Sequence, residues 1–221
     1  MKVEKLLRWV IAFEFAALVI GVSSFFIISH KKPEPIEIVE AIEPEVIEEI
    51  KTRTPAEWED LIQEVAYNEY KTKLSDDVAH EIYYFTRIWG NYYDIPVETV
   101  LAQIGQECWF KPNLVNKNSN GSKDYGVMMV NDAGITDYNN ANWKNPVTAE
   151  QVQNDISIGI KVGCWNYANK RRILNIYEIE TTEYNVLCAY NAGQGKVRKG
   201  TIPASTETYV SNVQYLKQKF F

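Results

Sequence analysis

An apolar stripe with helical pitch, ending on a carboxylate, constrains this chain more than any other feature. Val97, Val100, Leu101, Ile104 and Cys108 fall at offsets of 0, 3, 4, 7 and 11, and Pro112 stops the run. That spacing keeps one face of a 3.6-residue turn apolar, so it predicts a helix packed on a core. Asp94 and Pro96 precede it in the manner of a cap followed by proline. Glu107 stands beside the stripe near its end, flanked by Cys108, Trp109 and Phe110. A carboxyl group there loses water, and the helix C-terminal end adds partial negative charge. Both effects disfavour the ionised form. An acid still protonated near neutral pH can donate to a glycosidic oxygen, which makes Glu107 a candidate general acid. By position alone, a solvated glutamate at a helix end is the plainer reading.

The helical pattern extends over the whole of residues 56–221. Ala56–Leu74 and Asp76–Trp89 carry apolar residues at three and four spacings, as in Val78, Ile82, Phe85 and Trp89. Thr148–Lys170 places Val152, Ile156, Gly159, Gly163 and Tyr167 on one face, and Glu183–Ala192 and Thr206–Lys219 complete the set. Between the third and fourth helices lies a polar loop, Asn113–Asn142, with apolar alternation only around Tyr125–Val130. The expected class is mainly α, with one small loop or β-hairpin element.

Upstream the character changes twice. Residues 1–8 form a short N-terminal segment, and Trp9–Ile28 holds a single acid, Glu14, in about twenty residues, long enough to cross a bilayer as a helix. Residues 9–29 are therefore expected to be a single-pass transmembrane anchor. A cleaved signal peptide is the rival, but no clear small-x-small site follows, and the apolar run exceeds a usual signal core. Lys2, Lys5 and Arg8 on one side and His30, Lys31 and Lys32 on the other leave too little charge contrast to orient it. Residues 30–55 are rich in Glu, Pro and Ile, a composition that suggests an extended tether.

Composition narrows the function. A formal charge of −6 with no sustained basic run in the soluble part argues against nucleic acid as a partner. Cys108, Cys164 and Cys188 have no metal-ligand spacing, and His30 and His80 are the only histidines, so no metal or cofactor is expected. Whether Cys164 and Cys188 pair, or all three thiols are buried apolar groups, is open from sequence. The 14 tyrosines and 6 tryptophans suit a groove for sugar rings, although filling a core is their ordinary use.

Four blocks then add up in order. QECWFKPNLVNKNSNGSKDYGVMMVND at 106–132, NDISIGIKVGCWNY at 154–167, CAYNAGQGKV at 188–197 and STETYV at 205–210 together resemble the lysozyme-like superfamily in its goose-type and SLT-type branch. The likeness is nearest to the small lytic transglycosylases that accompany secretion and conjugation machines. It covers roughly Asp76–Phe221, with the core motifs in 97–210. The resemblance implies a lysozyme-like helical domain in which Glu107 is general acid and base. It further implies that Gly126, Val127 and Met128 form a backbone strip lining the sugar site, and that Tyr190 and Asn191 face the groove. Without the resemblance, Tyr190 and Asn191 read equally as a helix C-cap before Gly193. Met129 stands where the family usually has glutamine, Cys108 where it has serine, and Ser205 where it has glutamate.

The implied substrate is the peptidoglycan glycan strand, cut between N-acetylmuramic acid and N-acetylglucosamine. In a lytic transglycosylase Glu107 alone suffices, and the sugar's own 6-hydroxyl closes a 1,6-anhydro ring. In a lysozyme a second carboxylate assists. Asp124 lies 17 residues after Glu107, the interval of the catalytic pair in animal c-type lysozymes, which this stretch also resembles. Within Asn120–Asp124 it reads equally well as a turn residue bonded to nearby backbone. A non-catalytic, membrane-tethered glycan-binding scaffold is the alternative from another class. The expected setting is the cell membrane with the catalytic domain outside the cytoplasm, near an envelope-spanning machine.

Overall fold

The computed structural model describes residues 53–221. The expected anchor at 9–29, and the tether as far as residue 52, lie outside the described residues. The tether's expected end moves inward, because Thr54 and Pro55 already belong to the folded domain. Thr54 caps helix α1 (Pro55–Tyr70) through a capping box with Glu57, and Pro55 occupies its first turn. Among the described residues, no helix is long and apolar enough to cross a membrane.

Helix α2 (Asp76–Tyr93) opens on the Ser75 side chain, which accepts from the Val78 amide. It closes on Asp94 in the left-handed conformation, φ 54°. Asp94 is therefore the stop of α2 rather than the start of the next helix. Pro96 alone stands at the N-cap of α3 (Val97–Cys108). The predicted stripe is the buried face of α3, since Val100, Leu101, Ile104 and Cys108 are all 0% exposed. Trp109 and Phe110 are both left-handed, φ 55° and 58°. That double reversal turns the chain back and drops the Phe110 ring into the core beside Tyr70 and Phe220.

The polar loop is more structured than its sequence suggests. Strands β1 (Val115–Lys117), β2 (Lys123–Tyr125) and β3 (Val130–Asn131) form a three-stranded antiparallel sheet in that order. In its register Asn116 pairs with Asp124, and Asp124 with Asn131. Helix α4 (Asp132–Ala141) follows, capped by the Asn131 side chain. The single helix expected over Thr148–Lys170 is two helices, α5 (Ala149–Asn154) and α6 (Ile156–Ile176). Asp155 breaks them apart, ending α5 in extended geometry while its carboxylate accepts the Ile158 amide to start α6. Helices α7 (Glu183–Ala192), α8 (Gln194–Arg198) and α9 (Ala204–Gln218) complete the domain.

Helix α9 lies along α3, and α6 lies along α2. The core runs between these pairs through Leu101, Ile104, Ile160, Leu187, Leu216 and Phe220, each at most 2% exposed. The sheet is held against α5 and α6 by Gly126, whose φ is +70° and whose added Cβ would come within 2.1 Å of the Val152 carbonyl oxygen. Only glycine fits both that dihedral and that approach. Cys108, Cys164 and Cys188 are buried and free, so no pairing joins them.

Candidate active site

The fold leaves a cleft of about 470 Å³ between the sheet and the helices. Glu107 comes from α3, Asp124 and Asn131 from the sheet, Asn166 and Lys170 from α6, and Tyr190 and Asn191 from α7. Asn166 is 5% exposed and anchors one wall by donating to the Val162 carbonyl at 3.0 Å.

Glu107 is partly buried at the inner end of this cleft. The Tyr209 hydroxyl, carried in from α9, donates to Glu107 Oε1 at 2.7 Å. Gln103, one turn earlier on α3, donates from Nε2 to the Tyr209 oxygen at 3.3 Å. Burial pushes the Glu107 carboxyl up to about 8, against the opposing Tyr209 hydrogen bond, and the negative charge of Asp124 raises it further. Near neutral pH the group is mainly a neutral acid, able to protonate a leaving oxygen. Once it has given up that proton, the Tyr209 hydroxyl is already in place to stabilise the carboxylate.

Asp124 shares the cleft but is heavily occupied. Its Oδ2 accepts from Asn118 Nδ2 at 3.0 Å and Asn116 Nδ2 at 3.4 Å, and its Oδ1 accepts from Asn131 Nδ2 at 2.6 Å. These three amides come from β1, the turn after it and β3, so Asp124 ties the sheet together. The Tyr190 hydroxyl donates to the Met128 carbonyl oxygen at 2.9 Å. Asn191 Oδ1 accepts from Thr206 at 2.7 Å, which fixes the amide plane at the cleft edge. Burial, and then the nearby charge of Glu107, hold the Tyr190 and Tyr209 hydroxyls well above the usual phenol range. Both remain proton donors throughout neutral pH.

The structure therefore brings Glu107, Asp124, Met129, Tyr190 and Asn191 to one cleft. It places Gly126, Val127 and Met128 behind the wall instead of on it. Val127 and Met128 are 1% and 0% exposed, with Val127 against Gly159 and Met128 against Gly163. Their part is to carry Met129, left-handed at φ 44°, into the cleft and to present the Met128 carbonyl to Tyr190. Tyr209, Gln103, Asn131, Asn166 and Lys170 were not singled out from sequence. Tyr209 lay inside the Ser205–Val210 block, Asn131 inside the 106–132 block and Asn166 inside the 154–167 block, which was the available signal; Gln103 and Lys170 fell outside all four blocks.

A family model described as the transglycosylase SLT domain matches residues 85–208. The chain belongs to that family. The match spans the SLT domain from α2 into α9, and so includes Glu107, the sheet, Tyr190 and most of the cleft. Two relatives, protein IpgF of Shigella flexneri and protein IpgF of Shigella sonnei, are each 46% identical to it over 43 residues, which is 20% of this chain and 28% of theirs. An inactive mutant of the lytic transglycosylase Slt from Pseudomonas aeruginosa superposes with a TM-score of 0.53 at 15% identity, covering 75% of this chain and 28% of that one. The 70 kDa soluble lytic transglycosylase from Escherichia coli gives 0.52 at 18% identity, covering 77% of this chain and 31% of its own. At such identities the likeness is one of fold, and the SLT domain has the mainly helical, lysozyme-like architecture with a small sheet.

Proposed function

We propose that this SLT domain is a peptidoglycan lytic transglycosylase, cleaving the β-1,4 bond between N-acetylmuramic acid and N-acetylglucosamine. Glu107 donates its proton to the glycosidic oxygen as the bond to the anomeric carbon breaks. The resulting carboxylate, held by Tyr209, takes the proton of the muramic 6-hydroxyl. That oxygen attacks the anomeric carbon and closes the 1,6-anhydro ring, so no water enters the products. The supporting observation is a single carboxyl raised to about 8 in a polar cleft, since this route needs one group that serves first as acid and then as base.

A lysozyme reaction is the second reading, favoured by the presence of Asp124 in the same cleft. Against it, both lone-pair directions of Asp124 Oδ2 are taken by asparagine amides, which ties that oxygen to the sheet. A non-catalytic glycan-binding scaffold is disfavoured by a carboxyl held in the state an acid catalyst needs. We extend the proposal to the setting: residues 9–29 anchor the chain, 30–52 space the domain from the membrane, and the domain works on the wall outside the cytoplasm. The resemblance of its sequence blocks to the small transglycosylases that accompany secretion and conjugation machines prompts the further suggestion that it serves an envelope-spanning machine.

The test is mass spectrometry of fragments released from purified sacculi, with Glu107→Gln as control. Fragments one water lighter than hydrolysis products, absent with Glu107→Gln, support the transglycosylase. Reducing ends support the lysozyme, and retained binding without release supports the scaffold.

A further inference from the structure

We infer that Gln103 is a positioning residue, holding the Tyr209 hydroxyl with its lone pair engaged and its proton aimed at Glu107. The inference rests on the reading of Glu107 as acid and base. Gln103 and Glu107 lie four residues apart on α3, hence on one face of the helix. Gln103 is 0% exposed, and Nε2 donates to the Tyr209 oxygen, whose proton goes to Glu107 Oε1. The other half of the amide, Oε1, is buried without a partner.

An amide buried with its carbonyl oxygen unpaired is unfavourable, and a leucine of similar volume would fill the same space without that penalty. Packing therefore does not explain Gln103, and the remaining role is what Nε2 does. Without that donor, the Tyr209 hydroxyl is free to turn away from Glu107 or to accept a bond from its protonated form. With the lone pair occupied, the hydroxyl has one arrangement, donating to the carboxylate. Amide, phenol and carboxylate form a chain in which each bond polarises the next.

The effect opposes the burial of Glu107 and the charge of Asp124. Asp124 on β2 repels its charge, and the Tyr190 hydroxyl on α7, the Cys108 thiol on α3 and Tyr209 itself on α9 are neutral around it. Gln103 thus favours the carboxylate state that must take the second proton, in a site otherwise biased towards the acid.

The test needs no substrate: a ¹³C-carboxyl NMR titration of Glu107 in the intact chain, for wild type, Gln103→Leu, Tyr209→Phe and the double variant. Gln103→Leu is expected to move the Glu107 midpoint upward by about half to one pH unit, with a melting temperature equal to or above wild type. In the Tyr209→Phe background the same change is expected to add nothing, because its path to Glu107 is gone. An unmoved midpoint in Gln103→Leu overturns the proposal, as does an equal shift with and without Tyr209. Gln103→Met supplies the same comparison if the leucine variant does not fold. Failure of every protein to release glycan would overturn the enzyme reading while leaving this titration intact.

Discussion

The hydroxyl of Tyr190 on α7 donates to the carbonyl of Met128, 62 residues earlier, at 2.9 Å. This bond spans the cleft wall and sets where the chain after β2 stops relative to the helices. Tyr190→Phe removes it while keeping the ring. The loss should cost about 1 kcal/mol, read as a lower urea midpoint, with a several-fold loss of glycan release because Met129 and the sheet are less firmly held.

Glu107→Gln should abolish glycan release, by at least about 10³-fold, without loss of fold, since a glutamine oxygen still accepts from Tyr209. Stability should respond in a pH-dependent way. The folded value near 8 lies above the ordinary carboxyl value, so the native state binds the proton more tightly than the unfolded chain. Its contribution is complete below about 4.5 and is lost as pH rises to about 8. Wild type should therefore weaken relative to Glu107→Gln across that window, by about 2 kcal/mol once solvent access through the cleft is allowed for. Paired melts at pH 4, 6 and 9 check this, and parallel curves would contradict the raised value.

The activity profile should fall on its alkaline side near pH 8, where Glu107 loses the proton it must donate. Initial rates of turbidity loss from sacculi between pH 5 and 10 measure the limb. A plateau extending to pH 10 would mean that Glu107 is not the acid.

Asp124→Asn places an amide among three amide donors, so at least one bond must be lost. The expected cost is about 1–2 kcal/mol, with the same anhydro products at a rate reduced by less than about 10-fold. Complete loss of release with an unchanged melt would make Asp124 a chemical participant and favour the lysozyme route.

Gly126→Ala should be severe, costing about 3 kcal/mol or more. The new Cβ meets the Val152 carbonyl oxygen at 2.1 Å on a backbone with φ +70°. A thermal melt shifted down by many degrees is the expected result, and a neutral outcome would require α5 to move.

The legible parts of the molecule were those that periodicity and order expose. The stripe from Val97 to Cys108 declared α3 because each of its members is needed on one buried face. Asp94 misled because aspartate suits both a helix opening and a left-handed stop. Asp155 was invisible because the 3.6-residue pattern runs through it unbroken, while its carboxylate restarts the helix. Helix α4 buries only Ile135 and Tyr138, too few apolar residues for a period to register. In the site, Glu107 could be nominated from its own surroundings. The Tyr209 contact could not, because it depends on α9 crossing α3 a hundred residues later, and no local pattern encodes a crossing. The strip from Gly126 to Met128 went the other way, since a motif names residues without saying whether they face the cleft or brace it.

The guanidinium of Arg53 donates to the Phe220 carbonyl oxygen at 2.8 Å and also to that of Phe221, while stacking over Trp58. In mechanical terms this is a buckle. A pull applied to the chain at residue 53 would load the segment after α9 as well as α1. The load path then runs down the α9 and α3 pair that carries Tyr209 and Glu107. The buckle thus couples the start of α1 to the helix that brings the phenol to the acid.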